Sequence, residues 1–124
     1  MGDSRYQAQF WFARSLYLCN EIPDAINMFF ILSNVKIDIR IKNEPRGKIR
    51  MNKTILRFTG TITEIELNYG YIKRDEIGDK IYFYRYHSDY LNWDKFKRRS
   101  RVNFIISFNY RGAVALDVKL DSLI

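Results

Sequence analysis

Two short runs of the chain, Tyr69 to Arg74 and Lys80 to Tyr86, carry tyrosine at alternate positions: Tyr69 and Tyr71 in the first, Tyr82 and Tyr84 in the second. Alternation is the two-residue period of a β-strand, so each pair shares one face of its strand. Where the two faces coincide, four phenol rings form one aromatic platform. Such a platform stacks flat π-systems, nucleobases among them, at about 1–3 kcal/mol per base and with little dependence on base identity. Tyrosine is also an ordinary strand residue whose ring packs across strands. A contiguous exposed set of four, rather than any single ring, is what points to a ligand. Ile72, Ile81 and Phe83 fall between the tyrosines and should face the core. Arg57, Lys73, Arg74, Arg85, Lys97, Arg98, Arg99, Arg101 and Arg111 are the cations able to track a phosphate backbone around the platform.

Other chemistries find little support. His87-Ser88-Asp89 is no catalytic triad, because chain neighbours do not converge on one atom with the geometry nucleophilic catalysis needs. Asp75, Glu76 and Asp79 crowd a loop, where acidic side chains serve turns. Neither a phosphate-cradling Gly-x-x-x-x-Gly-Lys string nor a dinucleotide fingerprint occurs. With one cysteine, Cys19, and one histidine, His87, the chain has too few soft ligands for a closed zinc site and no internal disulfide. The expectation is a non-enzymatic, metal-free and cofactor-free cytoplasmic protein. The longest apolar stretch, Ile26 to Leu32, contains Asn27 and is far short of the roughly 20 residues of a membrane span. The first residues lack the regions of a signal peptide, and Tyr6 stands where a myristoylation signal has Ser or Thr. No membrane partner is expected.

The elements that must position the tyrosines fit a chain of 124 residues, the size of one domain with an appended element. A composition of 47% apolar residues suffices for a core, and the net charge of +7 points to anionic partners. That charge is unevenly placed. Residues 1–34 carry two basic and three acidic side chains, 35–53 seven and two, and 54–124 twelve and nine. An apolar, nearly neutral N-terminal part thus precedes a basic linker and a basic C-terminal part, giving expected divisions at 1–34, 35–53 and 54–124.

Residues 4–33 read as an antiparallel pair of helices. Phe10, Phe12, Ala13, Leu16 and Tyr17 recur at three- and four-residue spacing, Asn20 to Asp24 breaks the pattern, and Pro23 suits the first turn of a second helix running through Ala25 to Leu32. Val35, Ile37, Ile39 and Ile41 then alternate with Lys36, Asp38, Arg40 and Lys42, the pattern of a half-buried strand. Five further strands are predicted at Ile55 to Leu67, Tyr69 to Arg74, Lys80 to Tyr86, Arg101 to Tyr110 and Ala113 to Leu120, a spacing that suggests a small closed barrel. Gly60 allows the first of these to bend sharply. Ser88 to Phe96 is predicted as a short helix with Leu91 and Phe96 turned inward. The fold class is therefore α+β, a helical hairpin followed by a five-stranded closed barrel, an OB-fold by the resemblance given next.

Two resemblances accompany this reading. Phe12-Ala13, Leu16, Ala25-Ile26, Phe29 and Leu32 resemble one tetratricopeptide repeat, a unit that buries its apolar faces against neighbours. Asn68-Tyr69-Gly70-Tyr71-Ile72 and Ile81-Tyr82-Phe83-Tyr84 resemble the Gly-Phe-Gly-Phe-Ile and Val-Phe-Val-His motifs of the cold-shock domain. Gly60-Thr61-Ile62 resembles the opening of that fold, and Val102, Phe104 and Phe108 to Val118 its closing hairpin, so the likeness spans residues 55–120. The resemblance implies an oligonucleotide-binding barrel with Tyr69, Tyr71, Tyr82 and Tyr84 as stacking rings. Glu64 stands where that family places a tryptophan, which implies one stacking ring fewer.

The expected function is binding of single-stranded RNA or DNA across the tyrosines, with the chain as the C-terminal part of a larger repeat protein. The alternative is a protein-interaction or assembly domain whose barrel is a structural cap. It is motivated by Phe10, Trp11, Phe29 and Phe30, which exceed what two helices bury alone, and its partner would be another protein or additional helical repeats.

Overall fold

Helix α1 (Ser4–Leu18) and helix α2 (Ile22–Ser33) form where the three- and four-residue apolar spacing runs without an interior glycine. A computed structural model describes residues 4–121. Between the helices Asn20 takes the left-handed conformation at φ 63°, and Glu21 N–H donates back to the Leu16 carbonyl at 2.9 Å, a C-terminal cap that ends α1. Pro23 lies in the first turn of α2, where its missing amide costs nothing. Phe10, Ala13 and Tyr17 from α1 and Ala25, Phe29 and Leu32 from α2 are buried between them.

Residues 35–42 depart from the expected strand. The Asp38 carboxylate accepts from Arg40 N–H at 2.9 Å and starts a single-turn helix, α3 (Ile39–Asn43). An alternating pattern makes a strand only where a partner edge receives it, and here a local side-chain cap competes successfully for the backbone.

The chain forms two compact units, one from its N-terminal part up to Gly47 with Phe108–Gly112, the other from Lys48–Ser107 with the chain from Ala113 onward. The stretch read as a linker therefore divides, 35–47 falling in the first unit and 48–53 in the second. In the helical unit Phe108 and Tyr110 complete the ring cluster. Phe108 lies parallel to Phe29 with centroids 6.1 Å apart, and Tyr110 stacks on Phe10 at 5.3 Å. Arg46 exchanges two backbone hydrogen bonds with Phe108 at 2.7 and 2.9 Å, which holds this segment in place.

The second unit begins with a small hairpin, β1 (Arg50–Met51) and β2 (Thr54–Ile55). The long first strand that was expected is thus broken at Leu56-Arg57 before β3 (Phe58–Ile65). With β4 (Tyr69–Arg74), β5 (Lys80–Tyr84), β6 (Arg101–Asn109) and β7 (Gly112–Leu120), β3 closes an OB-like barrel in the order β3-β4-β5-β7-β6. β5 and β7 pair in parallel, and the other described pairings, β3 with β4 and β6 and β4 with β5, are antiparallel. Ile62, Ile72, Ile81, Phe83, Val102, Phe104 and Val118 fill its interior. At Gly60 a Cβ would come within 2.6 Å of both the Ile72 side chain and the Lys73 carbonyl, a close approach of β4 to β3 that only glycine permits.

Between β5 and β6 the chain makes two 3-10 turns, Arg85–His87 and Tyr90–Lys95, rather than an α-helix. This overturns the inward placing of Leu91, which is 82% exposed. A 3-10 turn repeats every three residues, so it is Trp93 and Phe96 that share the inner side, with ring centroids 5.3 and 6.2 Å from Phe83.

Candidate nucleic-acid interface

Strand alternation sorts β4 and β5 into two faces. Gly70, Ile72 and Arg74 of β4 and Ile81 and Phe83 of β5 are buried, while Tyr69, Tyr71 and Lys73 face outward with Lys80, Tyr82 and Tyr84. The register pairs like with like: Tyr69 opposes Tyr84, Tyr71 opposes Tyr82, and Lys73 opposes Lys80. All four tyrosines therefore lie on one side of a two-stranded ladder that ends in a pair of lysines. Gly70 lets this happen, since a Cβ there would meet the Glu64 carbonyl at 2.6 Å and the Phe83 ring at 2.7 Å.

Three of the rings form a tight group. Tyr69 and Tyr82 stack at 5.8 Å and 25°, and Tyr71 sets its edge against both, at 6.0 and 5.8 Å. Tyr69 is the most open, 39% exposed, while Tyr71, Tyr82 and Tyr84 are half-buried. The Tyr84 ring turns toward Tyr86 and His87, at 5.5 and 5.3 Å. From β3, Glu64 sits opposite Tyr71 beside a register shift. The Trp93 indole N–H donates to the Glu66 carbonyl at 3.3 Å and steadies the β3–β4 connection.

The candidate cations separate into those free to meet a phosphate and those already committed. Lys73 is exposed on the tyrosine face with no ion-pair partner among the described residues. Lys97, Arg98 and Arg99 are exposed in a turn tied to β3 by Arg99 N–H, which donates to the Ile62 carbonyl at 2.8 Å. Arg85 is half-buried, its guanidinium 5.7 Å from the Tyr86 ring centroid. Arg57 is committed, donating to the Asn103 amide oxygen at 2.7 Å and to the Asp117 carboxylate at 2.9 Å. Arg111 belongs to the helical unit and donates to the Asn43 side chain at 2.9 Å.

Arg74 must be reassigned from phosphate contact to structure. It is on the inner face, 8% exposed, with its Nε 2.8 Å from the Asp79 carboxylate and its guanidinium 5.5 Å from the Phe58 centroid. Burial pulls the Arg74 pKa below its ordinary value and lifts that of Asp79. Phe10 and Phe29 are likewise corrected as surface anchors. They are 0% and 3% exposed, enclosed with Phe108 and Tyr110, whereas Trp11 and Phe30 remain 46% and 69% exposed.

Arg101 is held by Asp75, to which it donates twice, and by the Thr61 hydroxyl at 2.9 Å. These bonds first, and the Thr59 hydroxyl at 2.6 Å second, hold the Asp75 carboxyl down to about 2 from 3.8. A carboxylate with a depressed pKa stabilises the fold above the ordinary carboxylate range and loses that contribution as pH falls through its folded value. Part of the acid sensitivity between about pH 4 and about pH 2 is thus assigned to this network. Asp75→Asn is expected to flatten that limb in urea midpoints measured across it. An unchanged limb would remove the network from the acid response.

Among the described residues, no group of three His, Cys, Asp or Glu side chains is placed to hold a metal ion. No described helix is long and apolar enough to cross a membrane. No family model matches the chain, and no curated protein matches it.

The phosphate contacts expected from the sequence left out Lys80, and Trp93 was given no inward place. Lys80 shares its parity with Tyr82 and Tyr84, a signal present in the alternation itself. Trp93 and Phe96 are three residues apart, a spacing that marks a 3-10 turn as readily as a helix.

Proposed function

We propose that the outer face of β4 and β5 binds single-stranded RNA or DNA, and that the chain is a non-enzymatic binding module. The observation that carries this reading is the cross-strand register, which sets four tyrosines on one face and two lysines at its end. Aromatic faces beside exposed lysines match the two surfaces of a single strand, its bases and its phosphates. The likeness to cold-shock domains agrees with this reading, as does the OB-like topology. A cytoplasmic setting is proposed with it, since a chain with one cysteine carries no internal disulfide.

The test is fluorescence anisotropy with labelled oligo-U, oligo-dT and a duplex. The single strands are expected to bind in preference to the duplex. Tyr69→Ala with Tyr82→Ala, which removes the stacked pair, should weaken binding at least tenfold, given about 1–3 kcal/mol per stacked base. Equal affinity of variant and wild type would refute the platform.

A second reading, an assembly surface for another protein or for further helical repeats, is favoured by the exposure of Trp11, Ile26, Phe30 and Ile31 on α1 and α2. It becomes the leading one if no oligonucleotide binds.

A further inference from the structure

The side chain of Lys80 does not point away into solvent. It crosses from β5 over β4 toward β3, placing Nζ 4.3 Å from the centroid of the Tyr71 ring and 2.8 Å from Oε1 of Glu64. Glu64 is the β3 residue directly opposite Tyr71, so three adjacent strands contribute the carboxylate, the phenol ring and the ammonium of one bridge. The ammonium lies over the ring at a distance where a base would stack. Both cannot occupy that position.

We infer that Lys80 is a nucleic-acid-contacting residue held over Tyr71 by Glu64, and that a strand enters by exchanging a base for the ammonium on the ring and a phosphate for the carboxylate on Lys80. This rests on the platform reading above. The two side chains are 56% and 50% exposed, and an ion pair so open to water is weakly held and exchanges readily. Once released, Lys80 stands opposite Lys73, and the two ammonium groups together mark the phosphate end of the tyrosine ladder. Glu64 opposes binding in two ways, by retaining Lys80 and by presenting its own negative charge to the strand. It is a positioning residue, and Tyr71 is the ring whose availability it sets. The bridge also holds the Lys80 pKa above its ordinary value, in line with a charge already partnered in the free protein.

The experiment compares wild type, Glu64→Gln, Lys80→Gln and the double variant, with short oligo-dT as the probe at several salt concentrations. Glu64→Gln should tighten binding roughly threefold to tenfold without changing the number of phosphate contacts, whereas Lys80→Gln should lessen the dependence of log K on log salt by about 0.7, the increment for one phosphate contact to a single strand. Lys80→Gln should weaken binding, and in the double variant the gain from Glu64→Gln should shrink to the effect of removing one negative charge. In the free protein, the Lys80 ε-methylene protons should be shielded by the Tyr71 ring, and Glu64→Gln should release that shielding. Unchanged or weaker binding by Glu64→Gln, while wild type binds, overturns the exchange and leaves the platform standing. Shielding that persists unchanged in Glu64→Gln overturns the role of Glu64. Failure of both proteins to bind at low salt overturns the platform reading and this inference together.

Discussion

Asp79→Ala is expected to destabilise the barrel unit by about 3–5 kcal/mol, the cost of leaving one member of a buried ion pair without its partner. The Arg74 guanidinium meets the Asp79 carboxylate at two points, 2.8 and 3.3 Å, and the two side chains are 8% and 7% exposed. Their backbones also close the β4–β5 turn, with Arg74 N–H donating to the Asp79 carbonyl at 3.0 Å and Gly78 N–H to the Arg74 carbonyl at 2.9 Å. Removing the carboxylate strands a guanidinium among Phe58 and the turn backbone, whereas replacing both partners with apolar residues of similar volume should restore much of the loss. Urea unfolding of the single and paired variants reads this directly. A single-variant loss below about 1 kcal/mol would place Arg74 in water, where exposed pairs contribute that little, and return it to the candidate phosphate contacts.

Phe108→Ala is expected to remove about 3–5 kcal/mol from the helical unit, the usual cost of deleting a buried phenylalanine. Phe108 is fully buried, parallel to Phe29 at 6.1 Å, edge-on to Tyr17 at 5.2 Å, and capped by the Arg14 guanidinium at 5.5 Å. Two helices of 15 and 12 residues are marginal by themselves, and their stability comes from what their apolar sides pack against. The ring that meets both helices comes from the far end of the sequence. Phe108→Ala should therefore lower the far-ultraviolet helical signal at modest urea, while Phe108→Leu retains most of it. Helical content as resistant as that of wild type would contradict the assigned packing.

What the sequence made legible follows from period and reach. The alternation of Tyr69, Tyr71, Tyr82 and Tyr84 specified a face, and the register of β4 on β5 merges the two faces into one. The same alternation already excluded Arg74, which has the parity of Gly70 and Ile72, and already included Lys80. Arg74 was misplaced and Lys80 left out because charge was weighed without parity. Phe10 differs from Trp11, and Phe29 from Phe30, by one helical step of about 100°, enough to separate a buried ring from an exposed one. The pairing of Phe108 and Tyr110 with α1 and α2 lay beyond any local pattern, since nothing within 30 residues signals which distant strand end will fill a helical groove. Residues 35–42 show the reverse limit: a clean alternation yielded to one aspartate cap.

The most direct test of a single-strand platform is to assign the aromatic proton resonances and follow them while oligo-dT is added. Stacked bases shift the protons of the rings they cover, so Tyr69 and Tyr82 should move first and farthest, with Tyr71 following and the Lys73 and Lys80 side chains responding alongside. The buried rings Tyr17 and Tyr110 should stay in place. Shifts centred on Trp11 and Phe30, with the β4 and β5 tyrosines unmoved, would contradict the platform and transfer the binding function to the helices.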